Sequence, residues 1–410
     1  MRSIVSDADS AKQAKKAKPG FIEGELLQSR RKMLMAMAGA GGATLLGRSI
    51  LPQASQAQNA VDPRTARIVA NTFSVDMHNH VSQPAFVKAE SENSARLYSD
   101  LSEQMKKSGM SSICLTYAVD SYRSPQLGDW HQYHLQALHR TDRILAGAGI
   151  KRALNMTDIK AAAAANTPIV IQDCEGAQWI EGRLGRIEEA YKRGLRHLQL
   201  LHQMQDIVAP LGGIQQLMEP VGPGANKGST NVRGLTPIGV DVIKECNRLG
   251  IIVDMAHADE ETVLAALDVA QQPLVVSHTA LDNSTSKLAE GYTTNPGLAK
   301  RLVSENYVKA VAEAGGVVGV WHTFPTLKDF VTGIKQMADV AGVDHTGIGT
   351  DTSMEKSGSG TNAIWPDEKG GFLYAVVSEM LTQGFRPDEI SQITGANYFR
   401  IFEKVTSSHA

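Results

Sequence analysis

The chain has 410 residues, 41 basic and 43 acidic side chains, a formal net charge of −2 and 42% hydrophobic residues. That balance excludes a disordered chain and argues against a protein steered to polyanions by a basic surface. The length is ample for a full hydrophobic core, built as one barrel or as two domains.

The first 57 residues stand apart. Ser29-Arg30-Arg31-Lys32-Met33-Leu34 is a twin-arginine pattern; it follows a long polar segment and precedes a mildly apolar, glycine-interrupted run from Met33 to Leu46. Ser55-Gln56-Ala57 supplies small residues for cleavage, so the segment reads as a twin-arginine export signal. The competing reading is a membrane anchor, but the run is too short and glycine-rich to cross a hydrocarbon core of ~30 Å, and no other stretch approaches ~18 apolar residues. The expectation is a signal over 1–57 and a barrel over 58–410 in a periplasmic or secreted protein. Its partners would be the export machinery in transit, with no stable membrane insertion. The segment carries nine of the 41 basic and four of the 43 acidic residues, which leaves 32 against 39. The remaining acidic chain suits neither nucleic acid nor an anionic membrane.

Beyond residue 66, short apolar runs alternate with longer amphipathic ones. Eight runs predict strands: Thr72–His78, Ser112–Ala118, Pro168–Cys174, Arg196–Leu201, Ile251–Ala256, Pro273–Ser277, Gly316–Trp321 and His345–Thr350. They are brief, rich in Ile and Val and apolar nearly throughout, as parallel strands covered on both faces are. Helical spacing falls between most of them, over Leu97–Lys107, Tyr133–Ala146, Arg186–Arg193, Pro237–Leu249, Glu260–Ala270, Ser304–Ala314 and Leu327–Ala341. The pattern predicts an α/β fold, a single (β/α)8 TIM-like barrel; an open doubly wound sheet is the alternative, and no G-x-G-x-x-G follows a strand to support it. Long loops are expected after the first strand (Val81 to Ser111) and the fourth (Gln203 to Arg233). Loops of that length usually form lids or binding surfaces. Cys114, Cys174 and Cys246 sit in apolar or helical runs and read as buried thiols.

In such a barrel, chemistry belongs at the C-terminal ends of the strands. His78 and His80 end the first apolar run, and residues i and i+2 of a strand share a face on which two imidazoles can grip one ion. Glu175 ends the third strand, His202 the fourth, His257 the fifth, His278 the sixth, His322 the seventh and Asp351 the eighth. Six of the chain's 12 histidines therefore fall at these positions. Each has a plainer reading: His202 and His322 as hydrogen-bonded rim residues, Asp351 as the N-cap of a following helix, Glu175 as a strand end. Their shared rim favours a site for two divalent ions, zinc by default. Glu175 would bridge them, His78 and His80 would hold one, and His257 and His278 the other. Water between such ions is acidified towards neutrality; Asp351 would take its proton, and His202 would donate to the oxyanion.

From about Asp76 to Val405 the chain resembles the renal (membrane) dipeptidase family of zinc peptidases. Asp76-Met77-His78-Asn79-His80 is similar to the family's D-G-H-N-D, Glu175-Gly176-Ala177 to its E-G-G or E-G-A, and Arg196 to His202 to R-Y-L-T-L-T-H. Asp254-Met255-Ala256-His257, Ser277-His278-Thr279 and Gly347-Ile348-Gly349-Thr350-Asp351 match D-L-S-H, S-H-S and G-I-G-S-D. Arg301-Leu302-Val303-Ser304-Glu305 resembles R-N-I-P-D, whose arginine binds the substrate carboxylate; Gly395 to Arg400 matches G-x-N-x-x-R. The resemblance implies hydrolysis of dipeptides or similar small substrates by a metal-bound hydroxide, with His202 and Arg301 contacting substrate. The chain departs from the pattern at His80, where the family carries Asp, at Met77, at Gln199 and Leu201, and after Asp351. His80 keeps open an amidohydrolase acting on another amide, a lactone or an ester. A non-catalytic metal- or solute-binding protein is the third reading, and a homo-oligomer stays open.

Overall fold

The computed structural model describes residues 61–80, 94–118, 128–202, 235–282, 301–355, 360–365 and 370–407. The expected signal over 1–57, residues 81–93 of the first long loop and the whole of Gln203–Arg233 lie outside them. The described chain opens on a helix, α1 (Pro63–Asn71): Asp62 caps it by accepting the Thr65 N–H at 3.0 Å, and Pro63 occupies its first turn. The buried face of this helix includes Ile68 and Val69, and the first strand, expected from Thr72, starts only at Val75.

All eight expected strands form. They are β1 (Val75–His80), β2 (Ser112–Ala118), β4 (Ile169–Glu175), β5 (Leu195–Gln199), β6 (Ile252–Asp254), β7 (Val275–Thr279), β8 (Val317–Val320) and a last strand in two pieces, β9 (Thr346–Ile348) and β10 (Thr352–Ser353). A two-residue strand, β3 (Lys151–Arg152), pairs with the start of β4. Every pairing is parallel, in the order β10-β1-β2-β4-β5-β6-β7-β8-β9. The two ends of that path are adjacent in the chain. β9 pairs with β8 and β10 pairs with β1, so the eighth strand closes the ring. The result is an α/β protein of the (β/α)8 barrel type.

Between strands run α2 (Ser94–Ser108), α3 (Asp129–Ala148), α4 (Met156–Ala165), α5 (Gly185–Lys192), α6 (Pro237–Leu249), α7 (Glu260–Val269), α8 (Glu305–Glu313) and α9 (Leu327–Ala341). α6 ends where Gly250, at φ +79°, returns its N–H to the Cys246 carbonyl, a turn that costs a side chain least when there is none. Strand alternation sorts the core into two layers. Ile113, Leu115 and Tyr117 face the helices, while Cys114, Ile169, Ile171, Ile252, Val275 and Val317 belong to the inner cluster. That cluster continues into Tyr398, Phe399, Ile401, Phe402 and Val405 of a C-terminal helix, α12 (Asn397–Ser407), which plugs the barrel at the N-terminal ends of its strands. Before it come α10 (Phe372–Thr382) and α11 (Pro387–Ser391). The three cysteines are buried and form no disulfide, in line with the reading as buried thiols, and no described helix is long and apolar enough to cross a membrane.

The barrel is narrow where β7, β8 and β9 meet. A Cβ on Gly319 would overlap the Ser277 carbonyl, and one on Gly349 the same atom. Gly319→Ala should therefore destabilise the fold by about 3 kcal/mol, read as a lower denaturation midpoint; an unchanged midpoint would place the strands farther apart than described.

Candidate active site

Two strands leave regular alternation just where their histidines are needed. β1 has an extra residue between Asp76 and Asn79 relative to β2, and β7 has one between Val276 and Thr279 relative to β8. A bulge re-aims a side chain. Here the bulges follow the inward Met77 and Val275 and turn His78 and His278 into the barrel, with ring centroids 4.1 Å apart. His80, two residues on, shares the face of His78, as its position predicts, with ring centroids 5.0 Å apart. His257 and Asp351 leave their strands at φ +69° and +52°. Such conformations cost a non-glycine residue of order 1–3 kcal/mol and gather at working sites.

Seven of the eight candidate side chains meet at one point. Glu175 stands in the middle: its Oε2 is 3.8 Å from His78 Nε2 and 3.9 Å from His80 Nε2, and its Oε1 is 3.4 Å from both His202 Nε2 and His257 Nε2. Asp351 Oδ1 lies 3.1 Å from His80 Nε2 and 3.8 Å from His78 Nε2, and its Oδ2 lies 4.0 Å from His278 Nε2. Arg301, the eighth, is 9% exposed; its Nε finds no acceptor, and its charge bears on His257. Three sets each place their ligand atoms within 4.8 Å of one another: His78, His80 and Glu175; Glu175, His202 and His257; and His78, His278 and Asp351. His278 Nε2 is 2.9 Å from His257 Nε2, and it also lies in one set with His78 and Asp351, so its ring stands between the two groups. His322 is not part of the cluster. Its Nδ1 donates to the Thr350 carbonyl, which is the plainer reading for this residue. Asp351 caps no helix, because β10 follows it.

The atoms that face one another suit a cation. His80 Nδ1 reaches the Thr116 carbonyl at 3.2 Å, which can only accept, so this nitrogen donates, and Nε2 faces Asp351 Oδ1 at 3.1 Å. His278 Nδ1 meets Ser277 Oγ at 2.9 Å, while its Nε2 faces His257 Nε2 at 2.9 Å. His78 Nε2 has no hydrogen-bond partner. Buried acceptors aimed at acceptors are costly unless a proton or a metal ion lies between them. The donor set of imidazoles and carboxylates fits zinc or a similar divalent ion.

Electrostatics follow from this crowding. Burial alone would lower His78, but Glu175, Asp351 and Asp173 outweigh it and push the ring up to about 9. Burial opposes the ionised form of Glu175, yet His202 and His78 hold it well below the usual carboxylate range. Burial, with the charge of Arg301, presses His257 down to about 4 and, with that of His78, keeps His278 well below its ordinary value.

Beneath the rim lies a buried polar layer that sequence reasoning passed over. Asp173 accepts from Thr116 Oγ1 at 2.7 Å and stands 3.6 Å from His78 Nδ1; His197 Nε2 is 3.2 Å from Asp254 Oδ2, and its Nδ1 is 3.1 Å from the Tyr398 hydroxyl. Against its burial, His197 is raised well above its ordinary value, first by the charge of Asp173 and further by its contact with Asp254; Asp254 is lowered to about 2, against its burial, by its contact with His197 and that ring's charge. Asp173 and Asp254 each lie two or three residues before a singled-out rim residue, and that spacing was the available signal. A departure also acquires a contact: Gln199 Nε2 is 3.4 Å from Glu175 Oε1.

A parallel β/α barrel with histidines and carboxylates gathered at the C-terminal ends of its strands is the frame of a metallo-hydrolase. The chain belongs to the membrane dipeptidase family, peptidase family M19, whose pattern matches residues 63–410. A relative, an uncharacterised dipeptidase of Schizosaccharomyces pombe, is 28% identical over 243 residues, 56% of this chain and 51% of its own length. The chain therefore spans about half of that relative. Among solved structures, an amidohydrolase from Pseudomonas aeruginosa shares the fold with a TM-score of 0.62 and 18% identity over 84% of this chain and 99% of that one. A metallo peptidase from Rhodobacter sphaeroides, solved with a phosphinate mimic of the dipeptide L-Ala-D-Ala, shares it with a TM-score of 0.57 and 19% identity over 82% and 99%.

The raised His78 sets a pH dependence. Its folded value of about 9 exceeds the unfolded value of about 6.5. The proton's stabilisation is therefore complete below about pH 6.5 and fades as pH rises through 9. Chelator-treated protein should lose stability across that window. Apparent zinc affinity should rise over the same range, because an entering ion displaces the proton. Denaturant midpoints and zinc affinities that are both flat from pH 6.5 to 9 would mean that His78 is neutral.

Proposed function

We propose that the chain is a hydrolase of dipeptides or closely similar small amides that works with two divalent ions, zinc by default. His78, His80 and Glu175 would hold one ion, and Glu175, His257 and His278 the other. The observation that carries this reading is Glu175, whose two oxygens face different histidines, as a bridging carboxylate must. Bound ions would supply an acidified water and a polarised carbonyl. The chain's own residues do the rest. Asp351, whose side chain is 21% exposed where Glu175 is 3% exposed, is open to substrate and carries a proton from the attacking water to the leaving amine. His202 donates to the oxyanion. Arg301, a buried guanidinium whose Nε lacks an acceptor, anchors the substrate's C-terminal carboxylate through charge-assisted hydrogen bonds. The phosphinate dipeptide mimic in the Rhodobacter sphaeroides structure supports the substrate class. His80, an imidazole where relatives of this pattern place a carboxylate, favours the second reading, an amidohydrolase of other amides, lactones or esters. A panel of L-L and L-D dipeptides against lactones and esters separates the two.

Arg301→Met should raise KM for dipeptides about 10–100-fold, the worth of a charge-assisted pair, with kcat largely kept. Amidating the substrate's C-terminus should do the same to the wild type. Hydrolysis should vanish on chelation and return with zinc; full activity without metal, or an unchanged KM in the variant, would end the respective assignments.

The export reading is also a proposal: a signal over 1–57 would send a folded, metal-loaded barrel to the periplasm. Replacing Arg30 and Arg31 with Lys should leave the protein in the cytoplasm with its metal bound, as fractionation would show; normal export would exclude the twin-arginine route.

A further inference from the structure

Two buried aspartates outside the proposed ligand set make the same unusual pair of contacts. Asp76 Oδ1 accepts the N–H of His78, two residues on, at 3.2 Å, and the N–H of Thr350, on the neighbouring strand, at 2.8 Å. Its Oδ2 accepts from Thr350 Oγ1 at 2.6 Å and from Asn79 Nδ2 at 2.8 Å. Asp254 Oδ1 accepts the N–H of Ala256, two residues on, at 2.9 Å, and the N–H of Ser277, on the neighbouring strand, also at 2.9 Å. Its Oδ2 faces His197 Nε2 at 3.2 Å. Both aspartates are fully buried.

The backbone groups they grip lie beside the site. Thr350 immediately precedes Asp351, Ser277 precedes His278, Ala256 precedes His257, and the fourth N–H is that of His78 itself. Each carboxylate therefore ties together two chain segments that carry rim residues: Asp76 joins His78 to Asp351, and Asp254 joins His257 to His278. The backbone is irregular at these places. The bulges of β1 and β7 and the left-handed residues His257 and Asp351 all fall within two residues of a gripped N–H. At a bulge or a left-handed turn the ladder loses hydrogen bonds, and a buried N–H left without an acceptor is costly. An ionised carboxylate accepting two of them makes stronger bonds than a neutral acceptor would.

We propose that Asp76 and Asp254 are a matched pair of positioning residues, each clamping two ligand-bearing segments in register so that the metal-binding cluster is preorganised. The inference rests on the metal reading of the site. In its own right it says that affinity for metal depends on two carboxylates that touch no metal. Partners beyond the ligands of a metal site commonly cost 10–100-fold in affinity when changed.

The test uses full-length protein loaded with zinc, with zinc affinity measured by chelator competition and stability by thermal melting. Asp254→Asn and Asp76→Asn are each expected to weaken zinc binding about 10–100-fold. Thr350→Val removes one bond to Asp76 while sparing the backbone contact, and serves if an aspartate variant does not fold; a smaller loss, severalfold, is expected. The control is Asn397→Ala. It removes two buried bonds, to the Val343 and Thr346 carbonyls, at the far end of β9. It should lower the melting temperature while leaving zinc affinity unchanged. Wild-type affinity in the folded aspartate variants and in Thr350→Val would overturn the inference. So would a control that loses zinc as strongly for the same loss of stability. A wild-type chain that binds no zinc would overturn the metal reading itself, and this inference with it.

Discussion

Ring closure by a broken strand is the constraint on which the rest of the molecule depends. β9 completes the sheet beside β8 and β10 completes it beside β1, with Gly349, Thr350 and Asp351 between them. Were the eighth strand continuous with one neighbour alone, the sheet would open at β1, and the histidines of β1 would have no reason to face Glu175 and His278. The break also frees Asp351 from the ladder, so that its N–H bonds instead to the His78 carbonyl at 3.0 Å and its side chain turns to the rim. Closure and catalytic geometry are thus set by the same three residues. Glycine at 349 allows it, because a side chain there would occupy the space of the Ser277 carbonyl.

A ring this tight buries charge. The rim holds Glu175 and five imidazoles at or below 7% exposure, and the layer beneath holds Asp173, His197 and Asp254 with none. Charges so placed are stable only with partners, since their desolvation costs several kcal/mol per ion. In the lower layer the partners are present: His197 answers Asp254, Thr116 answers Asp173, and Tyr398 reaches in from the plugging helix. At the rim they are incomplete: His78 Nε2 has no hydrogen-bond partner, and imidazole nitrogens of His257 and His278 face each other at 2.9 Å. The lower layer finds its charge partners within the chain, although Asp173 Oδ1, Asp254 Oδ2 and His197 Nε2 gain no well-formed hydrogen bond, while the facing nitrogens and oxygens of the rim suit a cation.

Much of this was legible in the sequence, for identifiable reasons. The strands showed because a strand buried on both faces must be apolar throughout, and the rim showed because a parallel barrel has one working end. What stayed hidden breaks those rules. α4 is nearly all alanine over its second half and has no apolar stripe to detect; α10, Phe-Leu-Tyr-Ala-Val-Val-Ser-Glu-Met-Leu-Thr, is apolar almost all round. The bulges of β1 and β7 are invisible to a period of two, and they bring the rings of His78 and His278 to a centroid distance of 4.1 Å. Asp254 hid inside the apolar run Ile251–Ala256, although it binds two backbone segments.

His80 bears on all of this through charge. Under the proposed roles, Glu175 and Asp351 are the carboxylates at a rim that would hold two divalent ions, and every other proposed ligand is a neutral imidazole. A carboxylate at 80 would remove one more unit of positive charge from a region already shielded from water, where charge is weakly screened. With an imidazole there, the excess must be met by solvent-derived hydroxide and by the substrate. Arg301 adds a further positive charge that bears on His257. Such a rim attracts ligands carrying a carboxylate and repels ammonium groups placed near the metals. Under those roles the imidazole at 80 leaves the rim more positive, along the same axis that Arg301 already sets, whichever small amide, lactone or ester the site takes.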